Sequence, residues 1–292
     1  MEYSLPESRP CERSVMSNAT LFERVLEHDR RIVLAALSII IIASWAFILN
    51  GAGTGMSIVA MTSWPMAIGM DGLGAMVATP AVWTFAYALT MVFMWWGMMI
   101  AMMLPSAAPM ILLHARIVRG AGASVGGTDS LLPTALFTLG YLLIWGLFGV
   151  LAAGLQWAFE AIGVLSPMMM NSTSILFAGA VLLLAGLYQL SPVKQACLSY
   201  CRGPIQFISR FWRSGPWGSL QMGFRHGAYC LGCCWALMVI LFFGGIMNLY
   251  WIIGLAVFIL LEKMLPAGGK LSRLMGALLV VWGMSFVYRG IA

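Results

Sequence analysis

Long apolar runs separated by short polar segments make up most of the chain from residue 32 onwards. The runs are about 17–25 residues long, the length of helix that crosses roughly 30 Å of hydrocarbon. Backbone polar groups inside a bilayer must be satisfied within the segment itself, so each run is predicted to be a helix. Seven spans are predicted, over residues 32–49, 81–104, 132–154, 173–190, 227–246, 249–265 and 271–290.

The composition is typical of a polytopic membrane protein. Hydrophobic residues make up 61% of the 292 residues and charged residues only 9%, whereas soluble domains are about 45–50% apolar and about 25% charged. The predicted fold class is therefore all-α, a bundle of about seven transmembrane helices. About thirty polar and charged residues precede the first run and no A-x-A site follows it, so that run is expected to be retained.

The positive charges orient the predicted helices. The net charge is +6, and all but one of the 16 basic residues lie at the N-terminus or in the second, fourth and sixth connections. Only Arg289 lies on the other side. Because cytoplasmic loops are enriched in Lys and Arg, the N-terminus is predicted inside and the C-terminus outside a bacterial inner membrane. Contact with anionic lipid accounts for the basic excess, and no nucleic-acid partner is predicted.

The predicted domain organisation has two parts. Residues 1–31 form a cytoplasmic N-terminal segment with a short interfacial helix, which Ser17 or Asn18 can cap. Residues 32–292 form the transmembrane domain and include a Cys/His segment at 191–238. Within that segment, apolar and basic residues alternate over residues 205–213, which predicts an amphipathic helix at the inner membrane surface.

Five of the six cysteines lie close together in the sequence, with a histidine among them. His226, Cys230 and Cys233 share one face of a helix, and the i,i+4 pair Cys197 and Cys201 can face them from another segment. Thiols on the cytoplasmic side stay reduced, so this pattern is typical of a soft-metal site for Cu⁺ or Zn²⁺. Thiol redox chemistry and simple packing of small side chains are the alternatives.

Methionine is abundant, with 23 in the chain. Met91, Met94, Met98 and Met102 form one stripe on the second span, although packing alone commonly produces such a stripe. The predicted outer loops are also rich in methionine. Thioethers bind Cu⁺ well and Zn²⁺ poorly, so methionine outside and Cys/His inside favour copper(I), with zinc as the alternative. The predicted metal ligands are His226, Cys230, Cys233, Cys234, Cys197, Cys201, His114, Met94, Met98 and Met102.

Few charged residues lie within the predicted spans. Glu262 and Lys263 are adjacent at the inner end of the sixth span, and they are expected to form a structural pair. The sequence contains no phosphate-binding G-x₄-G-K-[ST] loop and no plausible hydrolase triad. These features do not decide whether the protein is an enzyme, but they favour a protein that is not one.

Three segments of the chain resemble a known family. Residues 94–110, 190–202 and 222–249, followed by Glu262-Lys263, resemble the bacterial domain-of-unknown-function family 2182, described as predicted metal-binding integral membrane proteins. The resemblance extends from about residue 81 to the C-terminus. It implies a metal site at the five clustered cysteines and His226, and it implies no particular reaction or direction of transport.

The sequence therefore predicts a metal-binding membrane protein that receives Cu⁺ through methionines and holds it with thiolates and His226. Transport, handover to a metallochaperone or delivery to a cuproenzyme would be its output, and the expected partners are lipid, the metal ion and such a protein. One alternative is a membrane thiol–disulfide oxidoreductase that uses Cys230 and Cys233 at a helix start. The other is a structural subunit of a membrane complex.

Overall fold

The computed structural model describes the backbone of residues 10–55, 58, 62, 82–123, 131–167 and 170–292. Over these residues the fold is all-helical, which confirms the predicted class. The helices are α1 (Pro10–Leu49), α2 (Phe85–Ala123), α3 (Leu131–Ala161), α4 (Ile175–Leu190), α5 (Pro192–Arg202), α6 (Pro204–Phe211), α7 (Gly215–Val239), α8 (Leu241–Gly244), α9 (Leu249–Met264) and α10 (Gly268–Ile291).

A helix occupies the place of every predicted span, but the helices differ in length. Within the described ranges, five are long and apolar enough to cross a membrane, and they lie in α1, α2, α3, α7 with α8, and α10. Counting α4 and α5 as one bent span gives a sixth, whereas α9 has only 16 residues. These helices are compatible with membrane insertion, and the arrangement of seven spans stays a prediction.

Several helices extend beyond the predicted limits. The predicted interfacial helix and the first span are continuous in α1, which has 40 residues. Pro105 and Pro109 lie inside α2 and do not end it. Helix α7 begins at Gly215, with Pro216 in its first turn, so the prediction that Cys230 lies at a helix start is wrong. This removes the free N-terminal N–H groups that would activate a thiolate in the oxidoreductase alternative.

Helices α3 and α7 approach each other closely at two glycines. A Cβ atom on Gly140 would lie 2.5 Å from the carbonyl oxygen of Leu220, and one on Gly223 would overlap the carbonyl of Phe137. Membrane helices use small residues in this way to bring their backbones together. The contact aligns Tyr141 of α3 with His226 and Cys230 of α7.

Helices α4 and α10 interlock through a second set of glycines. A Cβ on Gly186 would lie 2.9 Å from the carbonyl oxygen of Gly276, and one on Gly283 would lie 3.0 Å from that of Gly179. The two helices therefore pack backbone against backbone over two turns. This pair flanks the α2–α3–α7 group and fixes the position from which α5 departs.

A sharp bend between α4 and α5 brings the first two cysteines of the cluster to α7. Ser191 ends α4, and its side chain accepts a hydrogen bond from the Lys194 N–H at the start of α5. Pro192 at the first position of α5 cannot continue α4, and the axes differ by 64°. As a result α5 packs against α7.

The amphipathic helix predicted over residues 205–213 is present as α6. Phe207 and Ile208 face the bundle and are buried, whereas Arg210 is exposed on the other side. Its location at the inner membrane surface stays a prediction.

Candidate metal centre

Four thiols from α5 and α7 form a cluster, named here the thiol cluster: Cys201, Cys230, Cys233 and Cys234. The three thiols of α7 are buried and Cys201 is partly exposed. The Cys233 Sγ lies 3.8 Å from the Cys201 Sγ. The expectation that the Cys197–Cys201 pair faces the α7 stripe is therefore confirmed at Cys201.

The α7 thiols gather around one backbone carbonyl. The Cys233 and Cys234 thiols both donate to the Cys230 carbonyl oxygen, at 3.1 and 2.9 Å. Such back-bonding satisfies a polar side chain inside a helix. Because Cys233 and Cys234 act as donors in these bonds, their sulfur lone pairs are not used by the carbonyl, and the thiolates that form on loss of the protons can bind a metal.

Cys197 lies at the rim of the thiol cluster. It is partly exposed, and its Sγ lies 3.0 Å from the place that a Cβ on Gly232 would occupy. Gly232 therefore makes room for this thiol on the surface of α7. Of the predicted cysteine ligands, Cys197 and Cys201 are the two that reach the surface.

Lys263 of α9 is a buried cation beside the cluster. Its ammonium donates to the Cys230 Sγ at 3.0 Å and to the Ser106 Oγ at 3.1 Å. The Tyr141 hydroxyl lies 3.2 Å from the same sulfur and donates to the Met103 carbonyl. Polar groups from α3 and α9 therefore contact the Cys230 sulfur, and α2 holds both of them through Ser106 and the Met103 carbonyl.

The expected pairing of Glu262 with Lys263 is wrong. Consecutive residues of a helix do not face each other, and Glu262 points instead to α5. There its carboxylate is 2.8 Å from the Lys194 ammonium, and both side chains are fully buried. The pair fixes α9 to α5, the helix that carries Cys197 and Cys201.

His226 lies one turn before Cys230, on the buried side of α7. Its ring contacts three aromatic rings, with centroid distances of 5.6 Å to Tyr141, 6.0 Å to Phe137 and 5.3 Å to Phe207. Its Nδ1 atom is buried and has no hydrogen-bond partner within the described residues. A buried ring nitrogen with no partner is an available metal ligand.

His114 lies in a neighbouring aromatic pocket. Its ring stacks on Phe137 at 4.5 Å and lies 6.2 Å from Trp212. Both ring nitrogens are buried without a hydrogen-bond partner in the described part of the chain. Phe137 thus contacts both His114 and His226, and the structure brings His114 near the site through this ring.

The methionine stripe runs through the interior of the bundle. Met91, Met94, Met98 and Met102 are all buried. The stripe reaches the thiol cluster through Met103, whose Sδ lies 3.8 Å from the Cys234 Sγ. Sequence reasoning did not include Met103 among the ligands, and its position beside Met102 was the only signal for it.

At the other end of the stripe, buried polar side chains surround Glu160; they are named here the carboxylate end. Gln156 donates to the Glu160 carboxylate at 2.9 Å, and the same amide nitrogen lies 3.5 Å from the Met91 Sδ. The Trp83 indole donates to Glu160 at 2.8 Å, and the Trp95 indole donates to Gln156 at 3.0 Å. The Gln156 amide therefore links the Glu160 carboxylate to Met91, the first methionine of the stripe.

The outer-loop methionines are mostly beyond what the structure describes. Met170 is buried, and its carbonyl accepts from the Ile246 N–H. The others, Met56, Met61, Met66, Met70, Met76, Met168 and Met169, lie outside the described residues.

The donor chemistry of the thiol cluster fits a soft metal ion. Within the described ranges, no group of three or more His, Cys, Asp or Glu side chains is already arranged around an ion position. The separation within each of two sulfur pairs nevertheless matches that of two sulfur ligands of one ion. Two sulfurs at about 2.3 Å from a tetrahedral ion are about 3.8 Å apart, and the Cys201–Cys233 and Cys234–Met103 sulfur pairs are each separated by 3.8 Å.

Comparison with known proteins identifies a copper-related family. The family model PpoB2, described as a copper chaperone, matches residues 92–286, two thirds of the chain. The matched region includes the thiol cluster, Lys263 and the stripe from Met94 to Met103. No curated protein and no solved structure matches the chain. The match confirms the predicted copper handling. It supports a copper-related family, but it does not support the specific resemblance to family 2182.

Proposed function

We propose that this protein, which belongs to the PpoB2 copper chaperone family, holds Cu⁺ at the thiol cluster of a membrane-embedded helical bundle and passes it on. The observation that carries the proposal is the convergence of Cys201, Cys230 and Cys233, with a 3.8 Å sulfur separation across two helices. Thiolate and thioether sulfur are the ligands that Cu⁺ prefers.

In the proposed site, two or three thiolates of the thiol cluster hold the ion. Cys234 and Met103 provide a thiol and a thioether next to it, and the unpartnered Nδ1 of His226 offers a nitrogen ligand one helical turn away. Zn²⁺ would need four ligands in a closed structural site. The thiolates suit both ions, and the thioether of Met103 beside Cys234 favours Cu⁺ over Zn²⁺.

Methionines Met91, Met94, Met98 and Met102 are proposed as the route to the site. Successive members are separated by three or four residues, which is about 5–6 Å along the helix axis. All four are buried, so an ion moving along them would exchange thioether ligands without returning to water. The route would end at Met103 and Cys234, with His114 in the adjacent aromatic pocket.

Cys197 is proposed as the point of handover. It is on the same helix as Cys201, one turn away, and it is partly exposed. A metallochaperone or cuproenzyme with its own thiol or thioether ligands could take Cu⁺ from this rim by ligand exchange. The cytoplasmic N-terminus, the seven spans and the inner-membrane location belong to the same proposal, because they place this rim on the side where thiols stay reduced.

Metal analysis of the purified protein tests the proposed site. After expression with added copper, the wild type is expected to contain about one copper per chain, and Cys230→Ser and Cys233→Ser are expected to contain almost none, because each loses a thiolate. Cys11→Ser, which changes the one cysteine outside the Cys/His segment, is the matched control and should keep its copper. Equal copper in all four proteins would overturn the site, and zinc in place of copper would overturn the choice of ion.

A further inference from the structure

Lys263 carries a positive charge beside the thiol cluster, and the proposed function does not yet assign a role to it. It is 8% exposed and lies inside the bundle. The other lysine nearby, Lys194, is already neutralised by Glu262 at 2.8 Å. Lys263 therefore leaves one positive charge beside the thiol cluster, and an uncompensated charge in a protein interior is strongly unfavourable.

The position of Lys263 is fixed by its hydrogen bonds. One N–H of the ammonium points to the Cys230 Sγ at 3.0 Å and another to the Ser106 Oγ at 3.1 Å. Ser106 is itself held, because its hydroxyl donates to the Met103 carbonyl at 2.9 Å. The ammonium is thus tied to α2 on one side and to the sulfur on the other, next to any ion that Cys230 binds.

Charge balance at this point depends on the ion. Cu⁺ with two thiolates is a complex of charge −1, and with Lys263 the site is neutral. Zn²⁺ with two thiolates is neutral, so Lys263 would remain an uncompensated buried cation. For any given number of thiolates, the Lys263 ammonium repels a divalent ion by one unit of charge more than a monovalent ion. In an interior of low dielectric constant this difference of one charge is large.

We propose that Lys263 is a specificity-determining residue, whose buried ammonium makes the thiol cluster select monovalent soft cations over divalent ones. The inference rests on the proposed binding of Cu⁺ by these thiols and adds the chemical class of ion that the site accepts. It predicts that Ag⁺, which is also soft and monovalent, binds in the same way as Cu⁺.

Competition with metal chelators tests the inference in the purified full-length protein. Affinities for Cu⁺, Ag⁺ and Zn²⁺ are measured for the wild type, Lys263→Met and Lys263→Arg, with Lys270→Met as the control at an exposed position of α10. Lys263→Met is expected to lower the ratio of Cu⁺ to Zn²⁺ affinity by at least about tenfold, the effect of losing a nearby unit charge. Lys263→Arg keeps the charge and should keep most of the ratio, and Lys270→Met should not change it.

An unchanged ratio in Lys263→Met, or an equal change in Lys263→Arg, would overturn the inference. A misfolded fraction lowers the number of sites for both ions and leaves the dissociation constants of the folded fraction, and therefore their ratio, unchanged. If Lys263→Met cannot be purified, Lys263→Gln removes the same charge and retains a hydrogen-bond donor. Failure of the proposed function has a different signature, because the wild type would then bind no Cu⁺ at its cysteines.

Discussion

The thiol cluster on α5 and α7 and the carboxylate end beside α2 and α3 are both buried polar sites, but they have opposite charges. Beside the thiol cluster lies a cation, with the Lys263 ammonium 3.0 Å from the Cys230 Sγ. At the carboxylate end lies Glu160, whose partners in the structure are the neutral donors Trp83 and Gln156. The carboxylate at one end attracts a positive ion, whereas the ammonium at the other end repels it.

The two ends also differ in whether their sulfur groups can ionise. Met91, next to the carboxylate end, is a thioether that cannot ionise, so it binds Cu⁺ without neutralising it. Thiols become thiolates and can neutralise the ion completely. In the proposed route, the methionine end would pass an ion on and the thiol end would retain it.

The largest effect is expected from the ion pair that supports the thiol end. Glu262→Gln leaves Lys194 buried without its partner, and removing one member of a buried pair costs about 3–5 kcal/mol. Denaturant unfolding in detergent measures this loss. The double variant Lys194→Met/Glu262→Leu removes both charges and should recover most of the stability; if it is as unstable as the single variant, charge is not the cause.

A smaller effect is expected from the matching change at the carboxylate end. Glu160→Gln removes a charge but keeps a carbonyl oxygen that can accept from Trp83 or Gln156, so the cost in stability should be about 1 kcal/mol. The rate of copper loading should fall, because the attraction for the cation is lost, while the final copper content stays that of the wild type. Both the loading rate and the final content are measured by adding Cu⁺, stopping the loading with a chelator at set times and determining the bound copper. An unchanged loading rate would show that Glu160 does not attract the ion.

The smallest effect is expected in the middle of the stripe. Met98→Leu keeps the volume of a buried side chain, and such swaps usually cost less than about 1.5 kcal/mol. Copper content should be unchanged and loading slower, because one thioether of the route is missing. Phe148→Leu, at a buried site of α3 without sulfur, is the control, and equal loading rates in the two variants would show that the stripe serves packing alone.

Much of the helical framework could be predicted from the sequence, but only part of the site could. The apolar runs predicted a helix at each of the seven places, and the 3.6-residue period predicted which cysteines of α7 share a face. That period says nothing about which helices face each other. The contacts of Lys194 with Glu262 and of Lys263 with Cys230 join residues 68 and 33 positions apart, so packing alone determines them.

The start of α7 shows the same limit at a local scale. The apolar run begins near Gly227, but Pro216 begins the helix three turns earlier, in a segment whose polar residues resemble a loop. Capping and proline chemistry determine helix ends more directly than hydropathy does. Hydropathy alone therefore predicts Cys230 near the start of a helix, whereas Cys230 lies in the interior of α7.

The order of the helices along the chain has a consequence for biosynthesis. All five cysteines of the Cys/His segment are translated before α9, which supplies Glu262 and Lys263. A nascent chain that stops before residue 249 would expose its thiols, and Lys194 would lack the carboxylate that balances it. Under the proposed role of Lys263, selective copper loading would therefore begin only after α9 has been made and inserted.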